Sequence, residues 1–346
     1  MESNRSSPRP RIGVVGTGHI GRNHARILAE LAGPQFTAIF DNNQATAQEM
    51  ARQHGTHASA SLAEFANRID AATIATPTPS HFEIAKFLLE RGKHVLVEKP
   101  ITETTEDARV LASLATERGL VLQVGHVDRF NPALSALESR LNRPRFIESH
   151  RLSPYPARSI EIGVVLDLMI HDLEIILHLV RSPLQQVDAV GVPVLSRGED
   201  IANARLRFEN GCVANVTVSR VSPERLRKIR VFQEDAYLSL DYQAQEGFTY
   251  RLAREEEPES SLFKKLLGGT HSAIVSQFAG KRIVREPVEI VKGEPLKQEL
   301  AAFFECARAG TQPKVSGREA TAALELALEI TRRIQESAEF QDRTQR

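Results

Sequence analysis

Short apolar runs alternate with amphipathic stretches along the first third of the chain. The apolar runs lie at 12–15, 36–40, 70–75, 93–98 and 120–124, and helical periodicity occupies 22–31, 82–91 and 105–118. Short, fully apolar runs are typical of parallel strands that are buried on both faces. Strands that alternate with helices therefore predict an α/β domain over residues 11–125, a doubly wound parallel sheet of the Rossmann type.

The pattern changes after Gly125. Helical periodicity at 131–141 and 164–180 flanks a strand-like run at 145–152, and from 187 to 252 the period falls towards two, with turns such as Glu209-Asn210-Gly211. Helical patterns at 296–309 and 318–337 close the chain. We therefore predict an α+β domain over 126–338 with a mostly antiparallel sheet, a disordered N-terminus at 1–10 and a tail at 339–346. Residues 254–286 show no consistent pattern, and their role stays open.

Composition narrows the class of protein. The 346 residues are 41% hydrophobic and 25% charged, which suits two globular domains. Because 44 basic residues balance 44 acidic ones, nothing indicates a nucleic-acid or membrane partner. No apolar run reaches membrane-spanning length, the N-terminus has no apolar signal core, and Cys212 and Cys306 are too few for a disulfide framework. We therefore expect a cytoplasmic protein.

A glycine-rich turn follows the first predicted strand, in the stretch RIGVVGTGHIGRNH. Its G-x-G-x-x-G spacing permits a tight turn, close approach of a pyrophosphate and close packing of the next helix. Asp41 ends the second strand 41 − 21 = 20 residues after the last of these glycines, where a carboxylate binds ribose hydroxyls. No basic residue follows Asp41 to meet a 2′-phosphate, so we predict NAD rather than NADP. The predicted cofactor contacts in the turn are Gly16, Gly18, His19, Ile20 and Gly21.

Three further residues fit acid–base chemistry. Lys99 follows the strand at 93–98, at the edge where such sheets bind ligands, although a solvated lysine would have the same position. Asp167 and His171 lie four residues apart on one predicted helix face, where a carboxylate would fix the imidazole tautomer. A core histidine or a simple ion pair has the same spacing. A metal site that adds His178 lacks a tight ligand motif, so we predict no metal.

Polar residues also mark the predicted domain junction, in the segment GHVDRFNP. His126, Arg129 and Asn131 could hold a hydroxyl, amide or phosphate of a substrate. The pair Asn131-Pro132 could equally serve only as a helix cap.

Five segments together resemble the Gfo/Idh/MocA oxidoreductase family: GTGHIGRNHA, ATPTPSH, VEKPIT, GHVDRFNP and DLMIHD. They occur in the family's order over essentially the whole chain. The resemblance implies that Lys99, Asp167 and His171 form the catalytic set and that the Lys99-Pro100 bond is cis. It also implies further NAD contacts, at Thr76, Pro77, His81, Glu98 and Lys99. Met169 replaces a glycine usual in the family and is expected to reshape the pocket floor.

The resemblance further implies NAD-dependent oxidation of a sugar hydroxyl. The last two motifs are similar to those of members that act on nucleotide sugars, so we expect oxidation of UDP-N-acetylglucosamine at C3. A PLP-dependent aminotransferase of a lipid A pathway would consume the 3-keto product. The substrate contacts would be Lys99, His126, Arg129, Asn131, Asp167 and His171. Alternatives are an inositol or free-sugar dehydrogenase, an NAD-dependent glycosidase without net NADH formation, and a non-catalytic NAD sensor. An exposed sheet face predicts a homodimer or homotetramer.

Overall fold

The structure is a computed structural model that describes residues 9–155, 162–253, 273–278, 281–337 and 340–341. The chain divides into two compact units, Met1–Phe130 with Glu294–Glu325, and Asn131–Gly293 with Leu326–Arg346. The stretch 294–325 belongs to the first unit, whereas the sequence pattern had assigned it to the second domain. Most of the predicted disordered N-terminus, most of the tail and much of 254–286 lie outside the described residues.

The first unit contains a six-stranded parallel sheet with the order β3-β2-β1-β4-β5-β6. Its strands are β1 (Ile12–Val15), β2 (Phe36–Phe40), β3 (His57–Ala58), β4 (Ala71–Ile74), β5 (His94–Glu98) and β6 (Leu122–Gly125). Its helices are α1 (His19–Ala32), α2 (Gln44–His54), α3 (Leu62–Arg68), α4 (His81–Glu90), α5 (Thr105–Glu117) and α8 (Pro295–Ala309). The predicted doubly wound sheet is confirmed. Its strand order reverses between β1 and β4, the position at which such sheets bind dinucleotides.

Helices α1 and α8 contribute to one apolar core of this unit. Ile27 and Leu28 of α1 and Phe303 of α8 are completely buried, and they belong to one cluster with Val14 and Leu96 of the sheet. Each such side chain contributes about 1.5–3 kcal/mol on burial. This packing explains why a helix so late in the sequence belongs to the N-terminal unit.

The second unit contains a nine-stranded sheet with the order β14-β15-β13-β12-β11-β7-β10-β9-β8. Its strands are β7 (Phe146–Leu152), β8 (Leu184–Val192), β9 (Ile201–Phe208), β10 (Val213–Ser219), β11 (Leu226–Phe232), β12 (Ala236–Asp241), β13 (Glu246–Leu252), β14 (Ala273–Phe278) and β15 (Lys281–Pro287). The prediction of a mostly antiparallel sheet is confirmed, with β7 and β10 as a parallel pair. Gly211 has a φ of 82° and makes the predicted turn between β9 and β10.

Helices α6 (Pro132–Glu138) and α7 (Ile170–Val180) belong to the second unit, and α9 (Gly317–Glu336) ends in it. The buried carboxylate of Asp172 anchors α7 to β7, because it accepts hydrogen bonds from Arg151 Nε at 2.6 Å and Ser149 Oγ at 2.7 Å. Residues Val165–Met169 form a π-helical segment before α7, where the sequence predicted a continuous α-helix. Such segments occur often at functional sites. No helix of the described residues is long and apolar enough to cross a membrane.

Candidate active site

The glycine-rich turn joins β1 to α1 in the first unit. Gly16 has a φ of 99°, which favours glycine, and a Cβ at Gly21 would overlap the Gly16 carbonyl oxygen. A Cβ at Gly18 would meet no atom within 4 Å, so the backbone there faces open space. Helix α1 begins at His19, three residues earlier than predicted, and no side chain caps its N-terminus. Its first N–H groups are therefore suited to binding an anion.

Asp41 follows the end of β2, beside this turn. Its Oδ2 accepts hydrogen bonds from the Thr17 N–H at 2.7 Å and the Thr17 hydroxyl at 2.8 Å, and its Oδ1 accepts one from the Asn43 N–H at 2.8 Å. The Thr17 hydroxyl also lies 2.7 Å from the Thr46 hydroxyl. The carboxylate is therefore held in place while keeping lone pairs for ribose hydroxyls. Sequence reasoning missed Thr17, although it stands inside the glycine motif.

A pocket of about 440 Å³ lies along the carboxyl ends of β1, β2 and β4. It is lined by Val15, Gly16, Gly18, Phe40, Asp41, Asn42, Ala75, Thr76, Pro77, Pro79, Ser80 and Ile84. An uncapped helix start, a carboxylate and apolar walls are the groups that a dinucleotide needs for its pyrophosphate, ribose and base. The residues present therefore fit NAD. The pocket lining includes five predicted cofactor residues: Gly16, Gly18, Asp41, Thr76 and Pro77.

His81 supports two loops from the first turn of α4. Its ring is buried, with Nε2 2.9 Å from the Thr76 carbonyl oxygen and Nδ1 2.9 Å from the Pro100 carbonyl oxygen. Both ring nitrogens therefore face backbone oxygens, and the histidine connects the predicted cofactor loop to the turn after Lys99. The predicted contact of His81 with the cofactor stays a prediction.

The next turn carries Glu98, Lys99 and Pro100. The Lys99-Pro100 bond is cis, as expected from the family resemblance. Lys99 is half-buried and influences a neighbour in the same unit: burial, with the positive charges of Lys99 and Arg129, lowers the pKa of His126 to about 3. His126 is therefore a neutral imidazole at physiological pH. It can exchange hydrogen bonds but cannot attract a phosphate as a cation.

Two further predicted substrate residues are buried, Arg129 in the first unit and Asn131 as the first residue of the second. Arg129 is 1% exposed and, with Arg220, is one of the two largest fully buried side chains described. Asn131 uses its Oδ1 to cap α6 through the Ala133 N–H at 3.0 Å, and its Nδ2 donates to the Tyr242 carbonyl oxygen at 3.0 Å. The helix-cap alternative therefore describes Asn131 in this structure, and its predicted contact with a substrate stays a prediction.

Asp167 and His171 lie in the second unit, on the π segment and the first turn of α7, and both are partly exposed. The start of this segment is held by the buried Glu199, whose Oε1 accepts the Val165 N–H at 3.2 Å. A Cβ at Gly163 would overlap the same carboxylate. Met169 is completely buried, so any effect on a pocket would act through packing.

Comparison with known proteins agrees with this architecture. Residues 10–126 match a family model described as an oxidoreductase family with an NAD-binding Rossmann fold, and residues 135–239 match the GFO/IDH/MocA C-terminal domain. The UDP-N-acetylglucosamine 3-dehydrogenase of Acidithiobacillus ferrooxidans is 41% identical over 67% of this chain and 74% of its own. The chain belongs to the Gfo/Idh/MocA oxidoreductase family. It is therefore an NAD-dependent dehydrogenase, as the motifs predicted.

A solved structure and one further relative show how far this similarity extends. A solved structure of UDP-N-acetylglucosamine 3-dehydrogenase from Acidithiobacillus ferrooxidans matches with a TM-score of 0.83 and 33% identity, over 94% of this chain and 98% of that one. The scyllo-inositol 2-dehydrogenase of Bacillus subtilis is 26% identical over 93% of each chain. Both nucleotide-sugar and inositol dehydrogenases are thus relatives of this protein.

Proposed function

We propose that this protein oxidises the C3 hydroxyl of UDP-N-acetylglucosamine to the 3-keto sugar nucleotide, with NAD as the oxidant. The observation that carries the proposal is the 41% identity to a dehydrogenase of that name, against 26% for the inositol dehydrogenase. The candidate catalytic residues Lys99, Asp167 and His171 are all present. They argue against a non-catalytic NAD sensor, which would not need them.

The side chains of this chain have distinct proposed roles. NAD, when bound, accepts the hydride from the sugar carbon. Asp41 holds the ribose hydroxyls and the start of α1 faces the pyrophosphate. His171 takes the hydroxyl proton, Asp167 orients its ring, and Lys99 stabilises the negative charge that develops on the oxygen. The roles of Lys99 and His171 are exchangeable in this scheme.

Substitution of the acid–base residues tests these roles. Lys99→Met and His171→Ala are each expected to lower kcat roughly a hundredfold or more, because general acid–base groups contribute that much. The NAD dissociation constant of His171→Ala should stay near that of the unmodified protein. Asp167→Asn is expected to be damaging but milder, since it acts through His171. Turnover within a few-fold of normal in either of the first two variants would refute the assigned set.

The substrate is tested by following NADH formation with a panel of alcohols. The panel contains UDP-N-acetylglucosamine, UDP-N-acetylgalactosamine, UDP-glucose, free N-acetylglucosamine, and myo- and scyllo-inositol, with hydroxylamine to trap the ketone because the oxidation is uphill. We expect NADH only with UDP-N-acetylhexosamines. Turnover of an inositol or a free sugar without turnover of any UDP-sugar would favour the inositol or free-sugar alternative. Sugar cleavage without net NADH would favour the glycosidase.

The proposed product also indicates partners. A 3-keto sugar nucleotide is reactive, so we propose that a PLP-dependent aminotransferase consumes it and draws the oxidation forward. We further propose that the protein acts in the cytoplasm as a homodimer or homotetramer. Light scattering of the purified protein would test the assembly, and coupling to an aminotransferase with glutamate would test the order of reactions.

A further inference from the structure

A fully buried histidine on α1 has no role in the scheme above. His24 has no exposed side-chain surface, and its neighbours on the buried face of α1, Ala25, Ile27 and Leu28, are apolar. A polar ring in such a position is costly unless it is hydrogen-bonded. Its Nε2 lies 3.1 Å from Glu98 Oε1. Because a carboxylate is an acceptor, Nε2 carries the proton and donates it.

Glu98 is the last residue of β5 and directly precedes Lys99, and its side chain is 18% exposed. Gly125 of β6 pairs with it in the sheet. A Cβ at position 125 would lie 2.8–2.9 Å from the carboxylate of Glu98, so the missing side chain of Gly125 provides the space that this carboxylate occupies. Helix α1 and strand β6 therefore fix Glu98 from two sides.

A third group adjoins the same carboxylate. Glu299 of α8 is completely buried, and burial together with the negative charges of Glu98 and Asp128 raises its pKa well above the ordinary value. The raised pKa favours the protonated form of Glu299, which adds no second negative charge beside Glu98.

We infer that His24 is a positioning residue for Glu98, holding its carboxylate where it binds the hydroxyls of the nicotinamide ribose. This inference rests on the proposed function, in which NAD is the oxidant, and on the contact with NAD that the family resemblance implies for Glu98. Loss of His24 should therefore weaken only the binding of the nicotinamide half of NAD, because the turn at Gly16 to Gly21 and Asp41 bind the other half. The inference does not depend on which alcohol is oxidised.

The test compares two ligands by titration calorimetry on the full chain: NAD, and ADP, which lacks the nicotinamide ribose. His24→Leu should weaken NAD binding about tenfold, as expected for the loss of a hydrogen bond to a charged group, and leave ADP binding within about twofold. His24→Gln, whose amide can still donate to Glu98, should recover part of the NAD affinity. Equal losses for NAD and ADP would overturn the inference, because they would mean that His24 only supports the fold.

Two further variants extend the test, and the first of them replaces His24→Leu if that variant does not fold. Gly125→Ala displaces Glu98 from the other side, and the carboxylate can yield because it is the end of a flexible side chain; it should also weaken NAD selectively. In a Glu98→Ala background, His24→Leu should cause no further loss of NAD affinity. A full tenfold loss there would overturn the inference. Failure to oxidise UDP-sugars would refute only the proposed substrate, since these readouts are binding constants.

Discussion

Glu299 provides a prediction whose magnitude can be worked out from the structure. Its carboxyl group is completely buried, neither oxygen has a hydrogen-bond partner among the described residues, and its pKa is raised well above 4.5. The neighbouring Gln123 donates its Nε2 proton to the Glu299 backbone carbonyl at 3.2 Å, not to the carboxyl group. Glu299→Gln should therefore remove a pH-dependent cost of folding.

The sign of the effect follows from proton linkage. Below the unfolded pKa both states hold the proton, so Glu299 costs no pH-dependent stability. Above it the unfolded chain releases the proton and the folded protein keeps it, so the stability of the unmodified protein falls as pH rises towards the folded pKa. The cost grows by about 1.4 kcal/mol per pH unit. Between the unfolded and the folded pKa of Glu299, the stability of Glu299→Gln relative to the unmodified protein should therefore increase as the pH rises, by at most about 1.4 kcal/mol per pH unit.

Urea unfolding of both proteins across this pH range measures the difference. A constant offset is expected as well, because the buried amide of glutamine brings its own unpaired groups, so the slope carries the test. Glu299→Leu is the matched control: it also removes the titration and should give the same slope with a different offset. An infrared band from a protonated carboxyl group, lost in both variants, would be independent support. A flat difference or the opposite slope would show that Glu299 is ionised and compensated in the folded protein.

Three other predictions follow from single residues. Because Asp41 repels a 2′-phosphate, NAD should bind at least tenfold more tightly than NADP, about 1.4 kcal/mol, and Asp41→Ala should reduce this preference in cofactor titrations; comparable affinities in the unmodified protein would refute it. Gly163→Ala should displace Glu199 from the Val165 N–H and lower stability by about 1–3 kcal/mol in chemical unfolding, whereas an unchanged midpoint would contradict the contact. Burial raises the pKa of Cys212 to about 11, so a thiol reagent at pH 8 should modify Cys212 only after unfolding; rapid labelling of Cys212 in the native protein would exclude this burial.

The parallel sheet of the first unit could be predicted because its signals are local. Each strand except β3 is a short apolar run, and glycines mark the ends of helices. Gly92, for example, has a φ of 71° directly after α4 and its capping residue, as a terminating glycine should. The motif at Gly16 to Gly21 needs no distant contact to be recognised. The same holds for Asp41, whose distance from the motif suffices to propose its role.

Elements with weak periodicity were missed. Helices α2 and α3 and the short strand β3 lie between Asn43 and Ile69, where no prediction was made. Helix α2 buries only Ala47, Met50 and Ala51 of its eleven residues, so its apolar stripe is narrow. The π segment at Val165–Met169 depends on Glu199, a residue 34 positions away from Val165, and sequence periodicity does not contain that contact.

The sequence also did not predict which distant elements pack together. The pattern at 296–309 predicts a helix but not that it packs in the N-terminal unit, which is a property of the apolar surface of α1 and the sheet. For this reason Glu299 and His24 could not be related to Glu98 from the sequence. For Asn131 the local sequence was sufficient, because its position directly before Pro132 already suggested the helix cap that the structure contains.

The most direct test of the proposed reaction follows one hydrogen atom. The protein is incubated with NAD and UDP-N-acetylglucosamine that carries deuterium at C3, and a sample deuterated at C4 serves as the control. We predict that the label from C3 appears in the reduced cofactor, that this transfer depends on Lys99, and that the label at C4 stays in the sugar. Unlabelled NADH from the C3 sample would contradict oxidation at C3, and absence of NADH from either sample would contradict the proposed substrate.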